Sequence, residues 1–577
     1  MFEEAVYDLH RISYGRRGTF CYLGLWEEDG RDRLYVCALY AAQDSGQNPR
    51  KGKLFPVILE REGKELPYRA AGTPVSVTLT YDGGSSRLCL QEDSILRMEA
   101  ENADVIFAPD LRPHEIAKFR GDGSWEMTMG TLPKLLFYPV QGSLEVKTGF
   151  DVFTSKPEDT RFHFRPDENG HVDLAIHMYR SNAWKLESYP AFDSCVRSIQ
   201  AEFEEYLKTV PEMPEEFRIP RIINAYVIWS HTMEIDGIDV IYMNKGVHRC
   251  TSSWQQCYHA MAQYRNPRYA WELMLGIFQY QDDFGMLPEM LTDMTQTFNG
   301  VKPPFYGVAM EFLKEFTDFS FVSRRDLKTM YLGLSQYVFW WLSYRDTDQD
   351  GIASFDSADE SGWDDCSFFR KGVPAATPDL AAYLVLAMEH LGKIAGRLGK
   401  FYEQREWERR AEDMLKLIVP TFWDGKQFTA RLADGTPVEA GTLIAFVPLI
   451  LGHRLPQEVI DAMAAALSEE GKWLSPWGLA GERMDSPDYH DGGCWSAGSI
   501  LAPAQLLVCL GLRASGKEEL AKEIARRYLK ALVKTGYPMI INPKTGQDIS
   551  ETRWGAAYPN RMAWTSAVFV ILGSVLG

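Results

Sequence analysis

Asp346-Thr-Asp-Gln-Asp-Gly-Ile-Ala-Ser-Phe-Asp-Ser-Ala-Asp-Glu-Ser-Gly-Trp-Asp-Asp365 packs eight acidic residues into twenty. Carboxylates at that density need solvent or partners. Composition alone leaves both a solvated loop and a functional loop open. Trp363 beside Asp364 raises the functional reading. An exposed indole next to a carboxylate suits a sugar ring, which offers an apolar C–H face and a hydroxyl rim. Apolar cover also raises a carboxyl pKa, as an acid catalyst requires.

On both sides of this loop the period is helical. Thr377 is placed to cap a helix with Pro378 at its first position, and Leu380, Leu384, Ala387, Leu391, Ile394 and Leu398 then share one face. Trp407, Ala411, Met414, Ile418 and Phe422 mark another helix. Ser515 and Glu518 form a capping-box pattern ahead of Leu520, Ile524, Tyr528 and Leu532. From Pro214 onward about twelve helices are predicted, starting near 214, 252, 267, 304, 325, 377, 401, 440, 456, 499, 515 and 563. Twelve helices in sequential pairs are what an (α/α)6 barrel needs. A generic helical domain has the same period, so the loops must decide.

The first 188 residues read as β. Val75, Val77 and Leu79 alternate with polar residues, Asp82-Gly83-Gly84 turns, and Arg87 to Leu90 returns. Val172, Leu174, Ile176 and Met178 alternate likewise. Other strands are predicted at Thr19 to Trp26, Leu34 to Tyr40, Ile95 to Glu99, Leu135 to Pro139 and Phe162 to Phe164. The expected architecture is an all-β sandwich over 1–188, a linker helix within 189–213, and an all-α (α/α)6-barrel catalytic domain over 214–577.

The chain has 577 residues, 45% hydrophobic and 24% charged, with a net charge of −18. That composition is globular, and its acidity argues against nucleic acid and anionic membrane as partners. No run of 18 apolar residues occurs, and the acidic N-terminus lacks the features of a signal peptide. The nine cysteines are scattered, with no CxxC pair. Reduced thiols in a cytoplasmic enzyme are the expectation.

Glu360-Ser361-Gly362-Trp363-Asp364 resembles the ESGWD signature of trehalases, glycoside hydrolase family 37, and the related signature of family 63 α-glucosidases and their mannosylglycerate-hydrolase-like relatives. The resemblance continues in order from about 215 to 577. It takes in Trp254-Gln-Gln-Cys-Tyr-His259, Gln281-Asp-Asp-Phe-Gly-Met-Leu-Pro288-Glu289, Lys302-Pro303-Pro304, Arg345 to Gly351, Pro487 to Trp495, Asn542 to Gly546 and Trp564-Thr565-Ser566-Ala567. It implies an inverting glycosidase acting on a small α-linked glucoside or related oligosaccharide, with no required cofactor. Asp364 is then the general acid. A second carboxylate, ~6.5–9.5 Å away across the sugar, deprotonates water. Glu360 and Trp363 would line the sugar subsite, with Trp254, Gln281, Asp283, Lys302, Trp495 and Trp564 as further substrate-binding residues. Each of these side chains could equally serve packing or ion pairing.

The general base is where the sequence departs from the family. Met539 occupies the expected Glu position, and a thioether takes no proton from water. The gap from Gly546 to Trp564 is also longer than the family's, and it contains Glu551, Arg553, Trp554, Tyr558 and Arg561. Three readings remain, in order. Glu551, or Asp548, replaces the base; phosphate attacks directly, held by Arg553, Arg561 and His490; or the protein binds a glycan without cleaving it. Asp346, Asp348, Asp350 and Gly351 also imitate the start of a calcium loop, although its twelfth position is Ser357 rather than Glu. A solvated turn and a structural calcium site are the two readings there. Two other classes stand as rivals. A sugar epimerase would use histidines such as His259, His390 or His490, and a polysaccharide lyase would favour a basic cleft.

Overall fold

The computed structural model describes residues 2–39, 52–129, 133–246, 248–492, 495–550 and 560–576. Two eight-stranded antiparallel sheets occupy the N-terminal region. The strand His171–Tyr179 lies centrally in one of them, between Lys134–Gln141 and Ile95–Glu101. Its alternating Val172, Leu174, Ile176 and Met178 are all buried. The sheets meet through aromatic rings. Phe137 of one sheet stacks on Phe162 of the other with centroids 4.0 Å apart, and Phe55 and Phe107 lie at 5.8 and 6.1 Å. The hairpin predicted around Asp82-Gly83-Gly84 pairs Val77–Tyr81 with Gly84–Gln91. Lys53–Arg61, a strand with no match among the sequence expectations, carries Pro56 inside an otherwise apolar run.

Helix α1 (Phe192–Leu207) packs its buried Cys195, Ile199, Phe203 and Leu207 between the strand Gly84–Gln91 and helix α2 (Arg218–Ser230). Buried polar contacts tie the β region to the helical one. The Tyr226 hydroxyl both accepts from the Gly15 N–H and donates to the Gly15 carbonyl, at 2.8 and 3.0 Å. The buried Lys245 ammonium donates to the carbonyls of Arg16 and Thr19.

Among the described residues, the remaining helices of eight residues or more are α3 (Ser253–Ala262), α4 (Pro267–Gly276), α5 (Tyr306–Leu313), α6 (Arg324–Tyr344), α7 (Pro378–Arg397), α8 (Phe401–Phe422), α9 (Gln457–Leu467), α10 (Ala502–Ala514), α11 (Glu518–Thr535) and α12 (Ala563–Val575), with a 3-10 segment at Leu443–Arg454. Packing runs in a cycle. Helix α3 touches α5, α5 touches α7, α7 touches the 3-10 segment, that segment touches α10, α10 touches α12, and α12 returns to α3. Every member but α5 also carries a further helix: α4 on α3, α6 and α8 on α7, α9 on the 3-10 segment, α11 on α10 and α2 on α12. Two glycines permit the closest approaches. A Cβ on Gly307 of α5 would collide with the Ala387 backbone nitrogen, and one on Gly511 of α10 would lie 2.8 Å from the Leu449 carbonyl carbon.

Two local expectations change. The helix predicted near 440 is the 3-10 segment, because Pro448 offers no N–H and Gly452 has a positive φ. Ser515 is not the N-cap of α11. It ends α10, where its hydroxyl donates to the Leu449 carbonyl, and α11 starts behind Lys517. Thr377 does precede α7 in extended conformation, with Pro378 first, but its hydroxyl makes no capping bond. No described helix is long and apolar enough to cross a membrane.

Candidate active site

The ends of α3, α7 and α12 that carry Trp254, Asp379 and Trp564 are N-terminal: each of these residues is second in its helix. The indoles of Trp254 and Trp564 meet edge to face at 5.4 Å, and Trp495 stacks on Trp564 at 5.4 Å. These three rings, with Met243, Met290, Met539 and Met562, form the apolar part of the wall of a cavity of about 260 Å³. Its polar part comprises His248, Thr251, Gln255, Glu289, Lys302, Asp359 and Asp364, with Gly362 between them.

Asp364 reaches this wall because of how its loop folds. The Ser357 hydroxyl accepts from the Glu360 N–H and caps a single turn, Ala358–Ser361. Gly362 ends that turn at φ 78°. A Cβ there would press on the Trp254 ring at 2.8 Å, so the left-handed turn and the close approach both call for glycine. Trp495 Nε1 donates to the Gly362 carbonyl at 3.0 Å. Asp365, next in sequence, anchors the loop. Its carboxylate accepts from the N–H groups of Trp495, Ser496 and Ala497 and from the Ser496 hydroxyl.

Glu360 does not line the cavity. It is buried and gripped by both terminal guanidinium nitrogens of Arg345, at 3.1 and 2.5 Å, while accepting the Asp356 N–H. Burial still holds its pKa above the ordinary glutamate value, against the lowering by Arg345. Trp363, expected to be exposed, is fully buried behind the wall, edge-on to Trp254 at 5.7 Å. Buried there, it cannot offer a sugar its face.

Lys302 lines the cavity. Its ammonium donates to the Asp359 carbonyl and lies 3.5 Å from Glu289 Oε1. Gln281 and Asp283 lie elsewhere, in a separate, open cavity of about 660 Å³ with Asp236, Tyr280 and Phe298. Gln281 Nε2 is committed to the carbonyls of Gly285 and Gly333, which makes it a tie between a loop and α6. Between the two cavities runs the short hairpin pairing Met290–Leu291 with Gln296–Thr297.

Met539 does sit in the cavity wall, where the family pattern calls for a carboxylate. Glu551, with Arg553, Trp554 and Tyr558, lies outside the described residues. Of the three remaining candidates for its role or for phosphate binding, Asp548, Arg561 and His490, the first two neutralise each other. Asp548 accepts from Arg561 Nη2 at 2.7 Å, and the buried Arg561 also donates to the carbonyls of Gly536 and Thr535 and to the Asn560 side chain. Desolvation lowers the Arg561 pKa from its ordinary value, and each nitrogen of its fork is already committed within the protein rather than to a phosphate. His259 is fully buried, and burial pushes its pKa down to about 3. His390 is paired with Glu311 at 3.0 Å. His490 is exposed. The three expected histidines thus stay apart.

The three carboxylates of Asp346, Asp348 and Asp350 offer oxygens within 4.8 Å of one another. Two of them already serve their own turn, Asp346 accepting from the Gly351 N–H and Asp350 from the Ile352 N–H. Ser357, at the twelfth position of the calcium-loop pattern, is occupied as a helix cap.

Sequence reading missed His248, Thr251, Gln255, Glu289, Asp359 and three of the four methionines as wall residues. Gln255 and Glu289 carried a signal, since both lie in motifs of the family pattern. Met243, Met290 and Met562 read as core until the loops are placed.

The family model of the mannosylglycerate hydrolase MGH1-like glycoside hydrolase domain matches residues 249–560, more than half of the chain. No curated protein matches. Among solved structures, the GH63 mannosylglycerate hydrolase from Thermus thermophilus in complex with glucose is 18% identical with a TM-score of 0.51, covering 61% of this chain and 99% of that one. A bacterial glucoamylase complexed with acarbose is 11% identical with a TM-score of 0.60, covering 98% of this chain and 93% of that one. At such identities these structures bear on the fold alone, whereas the family match spans the loops that build the indole-walled cavity. This chain is a glycoside hydrolase and belongs to the mannosylglycerate hydrolase MGH1-like family.

Proposed function

We propose that the protein is an inverting glycosidase acting on a small α-linked glucoside or related oligosaccharide, with Asp364 as general acid. The observation that carries this reading is the position of Asp364 in the wall of a cavity faced by three indoles. The cyclic packing of the helices supports an (α/α)6 barrel over 214–577, with 1–188 as sandwich domain and 189–213 as linker. The eight described cysteines are all buried and form no disulfide with one another, which supports a cytoplasmic location.

In this mechanism the indoles and methionines hold the apolar faces of the substrate and exclude water. Lys302 and Glu289 present a donor and an acceptor to hydroxyls. Asp364 protonates the departing glycosidic oxygen. Water, attacking from the opposite face, needs a base, and Met539 cannot be one. Glu551 is our candidate for that base. No cofactor enters the scheme.

The test is a screen of aryl and disaccharide glycosides with and without phosphate, followed by NMR of the released anomer. Asp364→Asn should lower kcat by about 10³, within the range of general-acid contributions, without unfolding the protein. A loss below tenfold would remove Asp364 from the role. Glu551→Gln should be comparably damaging. Turnover that depends on phosphate, with a sugar phosphate as product, would replace hydrolysis by phosphorolysis.

A further inference from the structure

Asp379 has no place in the mechanism above, yet it lies at its foundation. It is the second residue of α7, is 1% exposed, and makes no ion pair with any described residue. Its carboxyl faces the indole N–H of Trp363 and the hydroxyl of Thr377, but forms no hydrogen bond of good geometry with either. The Tyr383 hydroxyl, one turn further along α7, faces the same indole. A carboxyl that only packed would be better replaced by an uncharged side chain, because burial of an unpaired charge is costly. Catalytic hydrogen bonds are often long in the free enzyme and tighten in the loaded one.

Resting on the reading of Asp364 as the acid, we infer that Asp379 is a positioning residue: its carboxyl receives the Trp363 indole N–H and thereby fixes the Gly362-Trp363-Asp364 turn beneath the sugar. Burial pushes the Asp379 pKa up to about 6, and accepting the indole N–H stabilises its charged form against that burial.

The titratable groups facing Asp379 are few. Tyr383 is on its own helix, and Tyr258 of α3 lies behind Tyr383. Cys366 is on the acid's loop, with Glu482 behind it. Burial raises the pKa of both tyrosines and of the thiol, so these stay neutral. Glu482 is also raised by burial, and it accepts from the hydroxyls of Ser367 and Ser486.

The test compares kcat and KM of wild type, Asp379→Ala, Asp379→Asn and Trp363→Phe on the best glycoside from the screen. Asp379→Ala removes the acceptor and should lower kcat by about tenfold or more with little change in KM, whereas Asp379→Asn, whose amide oxygen still accepts the indole N–H, should restore most of that loss. Unchanged kcat in Asp379→Ala overturns the inference, as does an Asp379→Asn as damaged as Asp379→Ala. Should Asp379→Ala fail to fold, Trp363→Phe removes the same hydrogen bond from the other side, and normal kcat in that variant overturns the inference instead. If Asp364→Asn is inactive while Asp379→Ala is normal, this inference falls and the acid assignment stands.

Discussion

The two ends of the acidic loop share a composition and differ in every contact. At 346–350, the half-buried Asp346 and Asp350 bond N–H groups of their own turn, and Asp348 faces solvent. At 360–365, they bond outside their own turn: Glu360 to Arg345 at the end of α6, and Asp365 to three consecutive N–H groups some 130 residues away in sequence. Between those two anchors Asp364 is carried into the cavity wall. Acidic density therefore does not mark function. What marks it is a carboxylate carried into the wall of a cavity by neighbours that anchor its loop.

Substitutions can break this contrast. Asp365→Ala strands three N–H groups and the Ser496 hydroxyl, and at about 1–3 kcal/mol per unsatisfied buried group it should lower unfolding free energy by about 4 kcal/mol and abolish activity. Glu360→Gln leaves the buried Arg345 without its buried counter-charge. A loss of about 3 kcal/mol is expected in urea melts, with weaker damage to turnover. If Glu360→Gln cost nothing, the anchoring role would be wrong. At the other end, Asp348→Asn should change stability by less than about 0.5 kcal/mol. Melting in EDTA and in excess calcium should agree as well, since an ion held at a hundred times its Kd would add about 2.7 kcal/mol. A clear rise in Tm with calcium would erase the contrast by turning the solvated turn into a metal site.

Much of this was legible in the sequence. The predicted helix starts near 252, 267, 325, 377, 401, 456 and 563 lie within one residue of the observed ones, because apolar spacing and prolines report local geometry. The indoles Trp254, Trp495 and Trp564 were expected at the site and line one cavity. Trp363 and Glu360 were not legible, since a side chain's direction out of a loop depends on partners far along the chain. Gln281 and Asp283 misled for a related reason. They share a motif with Glu289, but the hairpin at 290–297 intervenes, so the motif's two ends face different cavities. The base is illegible for a chemical reason, since Met539 removes the one position the family pattern would have named.

Two missing methyl groups set how closely neighbouring segments of the helical cycle approach. At Gly307 and Gly511 those segments touch backbone to backbone, closer than any side chain allows. An alanine at either place would act as a wedge, driving the two segments apart. The spacing of the cavity wall then depends as much on these distant contacts as on the residues that line it.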